Sequence, residues 1–507
     1  MSQLGQPSAS RRIMKTAGLL LKRFFLASIL VFLTYHFIGY PAMRRVLPEK
    51  IPAPWLTARP VESVLIFAPH SDDETLGCVG AIMHALAQGA RVHVVLVTCG
   101  DGFPIAAEAM AKGRRPRSEH YLSLGYARQG ETLAALKVLG LGPENVTFLG
   151  YPDGGIAKLW GEFWTYDNLL SSRYTKTERS PYFNSFMPGA PYCGLSAVNN
   201  IATIIKKTKP SHILVPHPND THSDHWGTFA LVTYALHRLT GEDQLTTTPT
   251  TVAYLVHRGD WPLPRLYRPN WPLDPPPKML QLPEQWLYHP MSDQDIAQKR
   301  LAILSYKSQV LFMRMYMLSF VRNNELFFPL RSQLVAKLGD EDESVIKRDH
   351  LWKTAADVIV DPTDDTISRR LGPGADLKGA AALLGRDTLY ILVKPKGRIS
   401  PRIRYNIDIC NFASHRTMVS LSMGPKNIVR KSAKATPAQI RHTTDGIEFA
   451  LPLSIFSSSD RTLPGSVFFS VQSRLGNTVV DRTAWTVLRL SADEPESFRA
   501  NLYETHR

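Results

Sequence analysis

His70-Ser71-Asp72-Asp73-Glu74 places three carboxylates and an imidazole in five residues. A second cluster, His217-Pro218-Asn219-Asp220-Thr221-His222-Ser223-Asp224-His225, adds three imidazoles and two carboxylates. Such sets hold a divalent metal and move protons. A catalytic zinc commonly takes three protein ligands and leaves one position for water. His70 and Asp73, three residues apart on one loop, can bend toward a single point, and His225 can supply a third donor from the other loop. Asp72 is then free to act as general base toward the attacking water. Attack on a carbonyl makes a tetrahedral oxyanion and requires an acid for the leaving amine. His222 lies one helical turn before His225 and can reach the same pocket for that purpose. Asp224 can orient a histidine through its ring N–H. Taken alone, an aspartate-rich loop before a helix reads as a cap; the second cluster is what turns it into a site.

These loops need a scaffold. Val61 to Ala68 is an apolar run that reads as a buried strand, and a helical pattern begins at Gly77. The alternation continues with strands at Val92–Val97, Val146–Leu149, Ile213–Val215 and Thr251–Val256. Helices are expected between them at Ser118–Leu139, Leu195–Lys207 and Trp226–Leu239. Strands alternating with helices predict an α/β fold, a Rossmann-like, mostly parallel sheet with helices on both faces. Both acidic clusters then fall on loops leaving strands, where open α/β sheets place their chemistry. Two aromatic insertions, Lys158 to Pro191 and Arg258 to Pro290, read either as packed surface loops or as a wall offering rings to sugars. Asp293 to Asn324 is an amphipathic helical stretch. Beyond about Asp340, short strands separated by turns predict a C-terminal all-β sandwich.

Five motifs in order carry a resemblance. They are His70 to Glu74, Thr98-Cys99-Gly100-Asp101-Gly102, Arg128 with Glu131, Leu149-Gly150-Tyr151-Pro152-Asp153-Gly154, and His222 to His225. Together they resemble the PIG-L/LmbE family of zinc-dependent de-N-acetylases over about residues 61–320. The resemblance implies an LmbE-like fold, with His70, Asp73 and His225 as zinc ligands, Asp72 as base and His222 at the oxyanion. It also implies that Arg128 and Asp153 lie near substrate. Pro69 and Ser71 depart from the usual Ala-His-Pro-Asp-Asp-Glu, yet no proposed ligand is lost. Zn²⁺ is the expected cofactor, although the same ligands suit Fe²⁺. The C-terminal strands bear a weaker resemblance to carbohydrate-binding sandwiches.

At 507 residues the chain exceeds one compact core. Of the formal net charge of +15, +7 lies in residues 1–50, and no long basic run follows, which argues against nucleic acid as a partner. Phe24 to Met43 contains no Lys, Arg, Asp or Glu and is long enough to span a bilayer. Basic residues are denser before it, which favours a cytoplasmic N-terminus and an exported body, periplasmic in a Gram-negative bacterium. The expected organisation is a basic N-terminus (1–23), an anchor (24–43), a linker (44–60), a deacetylase domain (61–335) and a β-sandwich (345–507). Four cysteines without metal-type spacing are expected to be buried and free.

The resulting expectation is a membrane-held hydrolase that removes acetyl from an amino sugar of an envelope glycolipid or polysaccharide, such as lipopolysaccharide. Two alternatives stand beside it. One is an amidase acting on a small N-acyl thiol-glycoside; the other is a non-catalytic glycan-binding envelope protein.

Overall fold

A computed structural model describes residues 22–23, 25–30, 34, 61–245, 247–259, 261–367, 369–413, 415–424, 429–431, 437–457 and 464–492. Its central sheet is parallel over five strands: β1 (Ser63–Ala68), β2 (Arg91–Thr98), β3 (Val146–Tyr151), β4 (His212–Pro216) and β5 (Thr250–Tyr254). Helices connect them: α1 (Asp73–Gly77), α2 (Val79–Ala87), α3 (Pro104–Met110), α4 (Ser118–Val138), α5 (Ile156–Trp160), α6 (Gly194–Thr208) and α7 (Ser223–Gly241). The strand order is β3-β2-β1-β4-β5-β7-β6, where β6 (Leu287–Pro290) and β7 (Asn324–Pro329) close one edge antiparallel. Helices α8 (Asp293–Ser305) and α9 (Lys307–Leu318) lie between them in sequence. All six residues of β1 are buried, as a strand covered on both faces requires.

This order matters for function. The chain runs outward from β1 through β2 to β3, then returns to place β4 on the other side of β1. The loops leaving β1 and β4 therefore become neighbours at the reversal point, where such sheets bind ligands. Loops leaving β2, β3 and β5 open on the same edge.

The C-terminal part is β-rich. Strands β9 (Ala336–Lys337), β10 (Asp357–Val360), β11 (Leu377–Leu384), β12 (Thr388–Pro395), β16 (Gln439–His442) and β17 (Ile447–Pro452) form one sheet, while β8 (Gln333–Leu334) belongs to the other. Strands β13 (Arg404–Asn411), β14 (Met418–Met423), β15 (Val429–Lys431), β18 (Ser466–Leu475), β19 (Thr478–Arg482) and β20 (Thr486–Arg489) form most of the other. Alternate residues of the two sheets share one buried cluster: Leu389, Ile391 and Val393 with Ile407, Ile409, Phe469 and Val471. Cys410, Phe468 and Trp485 instead join the core of the α/β part.

The aromatic insertions make that junction. Trp160 contacts Phe468 at 5.6 Å and Trp485 at 5.1 Å between ring centroids. The Arg416 guanidinium lies 3.4 Å from the ring centre of Trp164 and 4.7 Å from that of Trp160, and also donates to the Trp160 carbonyl. Trp160, Trp164, Tyr182, Trp261 and Trp286 are all buried, so their faces serve packing and not sugar rings. All four cysteines are free and buried.

The single-pass localisation requires correction. Among the described residues no helix is long and apolar enough to cross a membrane. Most of the Phe24–Met43 segment, with the flanking 1–21 and 44–60, lies outside those residues.

Candidate active site

The turn after β1 is set by one unusual residue. Asp72 has φ 121°, a region costly for any residue with a Cβ. Its neighbours hold it there. The Arg128 guanidinium donates to the Ser71 carbonyl, to Gly100 O at 2.7 Å and to Asp72 Oδ2 at 3.2 Å. Glu74 accepts from the Asp72 N–H at 3.3 Å and from the Tyr306 hydroxyl. Gly100, at φ +63°, leaves room for this guanidinium, because a Cβ would collide with it. Arg128 is thus buried beneath the loop and addresses Asp72, beside the space where the resemblance places substrate. Glu131, one turn on, caps α9 by accepting from the N–H and hydroxyl of Ser308.

Above this base the donors converge. Asp73 Oδ2 lies 3.2 Å from His70 Nδ1 and 3.1 Å from His225 Nε2. Donors on a tetrahedral zinc at about 2.0–2.1 Å stand about 3.3 Å apart, so this trio has metal-ligand spacing. The unused nitrogens each face a carboxylate: His70 Nε2 is 3.2 Å from Asp224 Oδ2, and His225 Nδ1 is 3.0 Å from Asp220 Oδ2. Carboxylate–histidine pairs of this kind orient metal ligands. Neither contact of His225 has hydrogen-bond alignment, and Asp73 Oδ1 is also buried without a hydrogen bond among the described residues. Buried polar atoms left in this way fit a bound cation. A neutral imidazole pair and one carboxylate are the donor chemistry that zinc takes.

The electrostatics agree. Burial disfavours charge on His225, but Asp220 and Asp73 outweigh it and raise the ring to about 9. These acids draw a cation to that ring, and a metal ion meets the same demand. Burial also opposes charge on Asp73, yet His225 and His70 hold its carboxyl well below the ordinary range. Burial pushes Asp72 up to about 7 against the pull of Arg128, and pushes Glu74 up to about 8.

His222 caps α7. Its Nδ1 accepts from the Asp224 N–H at 3.2 Å, so the neutral ring carries its proton on Nε2. Its ring lies 4.7 Å from that of His70, edge to face. Asp224 is pinned by the N–H groups of Gly154 at 2.6 Å and Ile156 at 3.0 Å, and this ties the β3 loop to the site. Asp153 accepts from the Gly102 N–H at 2.8 Å and stands 3.7 Å from His70 Nε2, on the rim.

Two residues gain roles that sequence reasoning did not give them. His257 follows β5, and its Nε2 stands 3.9 Å from Asp73 Oδ1, so His70, Asp73, His225 and His257 form one possible metal-holding group. Burial, reinforced by the His225 charge, lowers His257 to about 3, which keeps it neutral. Asp220 read from sequence equally as a turn cap or a substrate contact. It accepts from the N–H groups of His222 at 2.8 Å and His257 at 2.9 Å while facing His225. The only prior signal for His257 was position at the end of a strand, whereas Asp220 lay within the second acidic cluster. His217, by contrast, is fully buried and stacks on Trp286, as a packing residue does. Asp220→Asn is expected to weaken zinc binding by about 10–100-fold, measured by chelator competition.

Residues 65–236 match the family model described as "PIG-L: GlcNAc-PI de-N-acetylase". The 1D-myo-inositol 2-acetamido-2-deoxy-alpha-D-glucopyranoside deacetylase of Mycolicibacterium smegmatis is 38% identical over 96 residues, covering 18% of this chain and 32% of that protein. The protein of the same name from Mycobacterium tuberculosis is 36% identical over 78 residues, covering 15% and 25%. The chain thus spans no more than about a third of the length of these curated relatives. Among solved structures, N,N'-diacetylchitobiose deacetylase from Pyrococcus horikoshii aligns at 17% identity and a TM-score of 0.33, over 53% of this chain and 83% of that one.

Proposed function

We propose that this protein is a zinc-dependent hydrolase that removes the N-acetyl group from an amino sugar. The observation that carries this reading is the His70, Asp73 and His225 trio with Asp72 beside it and His222 facing the same space. The family description and the mycobacterial relatives support the substrate class, since their names share an acetylated glucosamine.

In this reading His70, Asp73 and His225 hold the ion, with Asp224 and Asp220 orienting the two rings. Zinc, when bound, supplies Lewis-acid activation of the water and the amide carbonyl. Asp72 takes the proton from the water as its oxygen bonds to the carbonyl carbon. His222 presents its Nε2–H to the oxyanion that develops. The C–N bond then breaks, and a proton passes to the amine nitrogen, leaving acetate and a free amino sugar. Arg128 acts beneath the loop as a positioning residue that holds Asp72. Asp153, on the rim, is placed to meet a sugar hydroxyl.

The finer substrate is a glycolipid or polysaccharide. A cleft of about 660 Å³ that includes Thr221, His257, Arg265, Arg314 and Tyr316 supports this, since it opens beside the donor group. Leu311, Phe312 and Met315 line the same cleft and are exposed. Residues 345–507 are proposed as one β-sandwich beside the domain at 61–335, an architecture supported by the core its sheets share. Zinc-loaded protein is therefore expected to remove acetyl from envelope glycolipid or polysaccharide extracts, seen by mass spectrometry, faster than from free N-acetylglucosamine. Turnover confined to small soluble N-acyl compounds would instead favour an amidase.

A further inference from the structure

We propose that Asp361, Asp365 and Asp481 form a calcium-type cation site that clamps the C-terminal sheets to the active-site loops. This inference does not rest on the hydrolase reading. One carboxylate oxygen from each residue lies within 4.8 Å of the other two. Donor oxygens on opposite sides of a calcium ion, each at about 2.3–2.6 Å, stand up to about 5 Å apart, so this spacing suits the ion. The donors are all oxygen, which favours calcium over zinc.

The unpartnered atoms are what point to a ligand. Asp361 is only 1% exposed. Its Oδ1 accepts from the Asn219 amide at 3.3 Å, but its Oδ2 is buried with no hydrogen bond among the described residues. Asp365 repeats the pattern, with Oδ2 on Arg258 at 2.8 Å and Oδ1 buried and unbonded. Asp481 is fixed by N–H groups, from Leu377 at 2.7 Å and its neighbour Arg482 at 2.8 Å.

Two guanidiniums stand nearby and offset part of the charge, but their hydrogen bonds go elsewhere. Arg258 bonds Asp365 and the Asn219 carbonyl. Arg482 lies 4.2 Å over the Trp226 ring and donates to the Thr483 carbonyl. Among the described residues neither donates a side-chain N–H to Asp361 or Asp481. A fourth buried carboxylate, Asp376, adds its field to Asp365 and Asp481, although Lys396 stands 3.5 Å from it and offsets part of that field. Burial and this crowding push Asp481 up to about 7 and Asp361 well above the ordinary range. The excess negative charge must be met by a shared proton or by a cation. Two buried oxygens without hydrogen bonds favour the cation.

The position gives the site a consequence. Asn219 and Arg258 are chain neighbours of Asp220 and His257, both within the metal-donor surroundings. A cation tying loop 361–365 to Asp481 braces those two residues from behind.

The test uses the full chain, loaded with zinc and titrated with Ca²⁺ alone by calorimetry and thermal unfolding. One Ca²⁺ per chain is expected, and saturation should raise the unfolding midpoint by at least about 2 °C. Asp361→Asn and Asp365→Asn should each weaken Ca²⁺ binding at least about tenfold, whereas Asp73→Asn should leave it within about twofold. Absence of Ca²⁺ binding to the unsubstituted chain overturns the proposal, as does binding unaffected by the Asp361 and Asp365 substitutions. A higher midpoint for Asp361→Asn without any Ca²⁺ response also overturns it, showing that the carboxyls share a proton.

Discussion

Asp72→Asn is expected to lower kcat by about 10³-fold, the scale of a lost general base, while zinc content and fold stay as they were. The substitution suits the position. Asparagine is isosteric, and it is among the residues that best tolerate positive φ, so the strained turn at φ 121° survives. The Arg128 bonds to Ser71 and Gly100 do not involve the carboxylate and keep the loop in place. Asp72→Ala would mix the loss of a base with a change in backbone preference. Single-turnover kinetics with zinc stoichiometry on the same sample makes the measurement. A variant with full zinc and unchanged kcat would remove Asp72 from the chemistry.

The second large effect concerns the metal. His225→Ala removes one of three donors and also strips Asp73 and Asp220 of the ring between them. The two buried carboxylates then lose the ring they share, and only Asp73 keeps a close imidazole, that of His70. Zinc affinity is expected to fall at least about 100-fold, beyond the loss expected for an orienting carboxylate. The variant should also be less stable, by about 3–5 kcal/mol, as when one member of a buried ionic set is removed. Chelator competition and denaturant unfolding read the two effects separately. Zinc affinity equal to that of the unsubstituted chain would show that the ion is held elsewhere.

Much of this site was legible because its residues cluster in sequence. The strand before His70 and the strand before His217 are continuous apolar runs, and only a parallel sheet makes their C-terminal loops adjacent. What sequence could not supply was the set of partners brought by topology. His257 is one histidine after β5, with no motif around it, and it joins the site because β5 pairs with β4. Asp220 has the composition of a turn, yet three elements converge on its carboxylate. Arg128 was placed near substrate by resemblance alone; its contact with Asp72 beneath the β1 loop came only with the fold.

In the fold, β11 escaped because Leu-Lys-Gly-Ala-Ala-Ala-Leu-Leu has helical propensity, which pairing with β10 and β12 overrides. Strands β6 and β7 escaped because they lie in a Pro-rich segment and at the end of a helical stretch, and pairing of β7 to β5 and of β6 to β7 is what makes them strands. The aromatic insertions left two readings open. Burial of their tryptophans against Phe468, Trp485 and Arg416 favours packing for those rings.

The central claim is that this pocket cleaves an N-acetyl amide through a metal held by His70, Asp73 and His225. Its most direct test is to follow acetate and free amine together as zinc-loaded protein acts on a 2-acetamido-2-deoxy-glucopyranoside. The account predicts equal release of both, ended by a chelator and restored by added zinc. Equal release that continues after the metal has been removed and shown to be absent would contradict it.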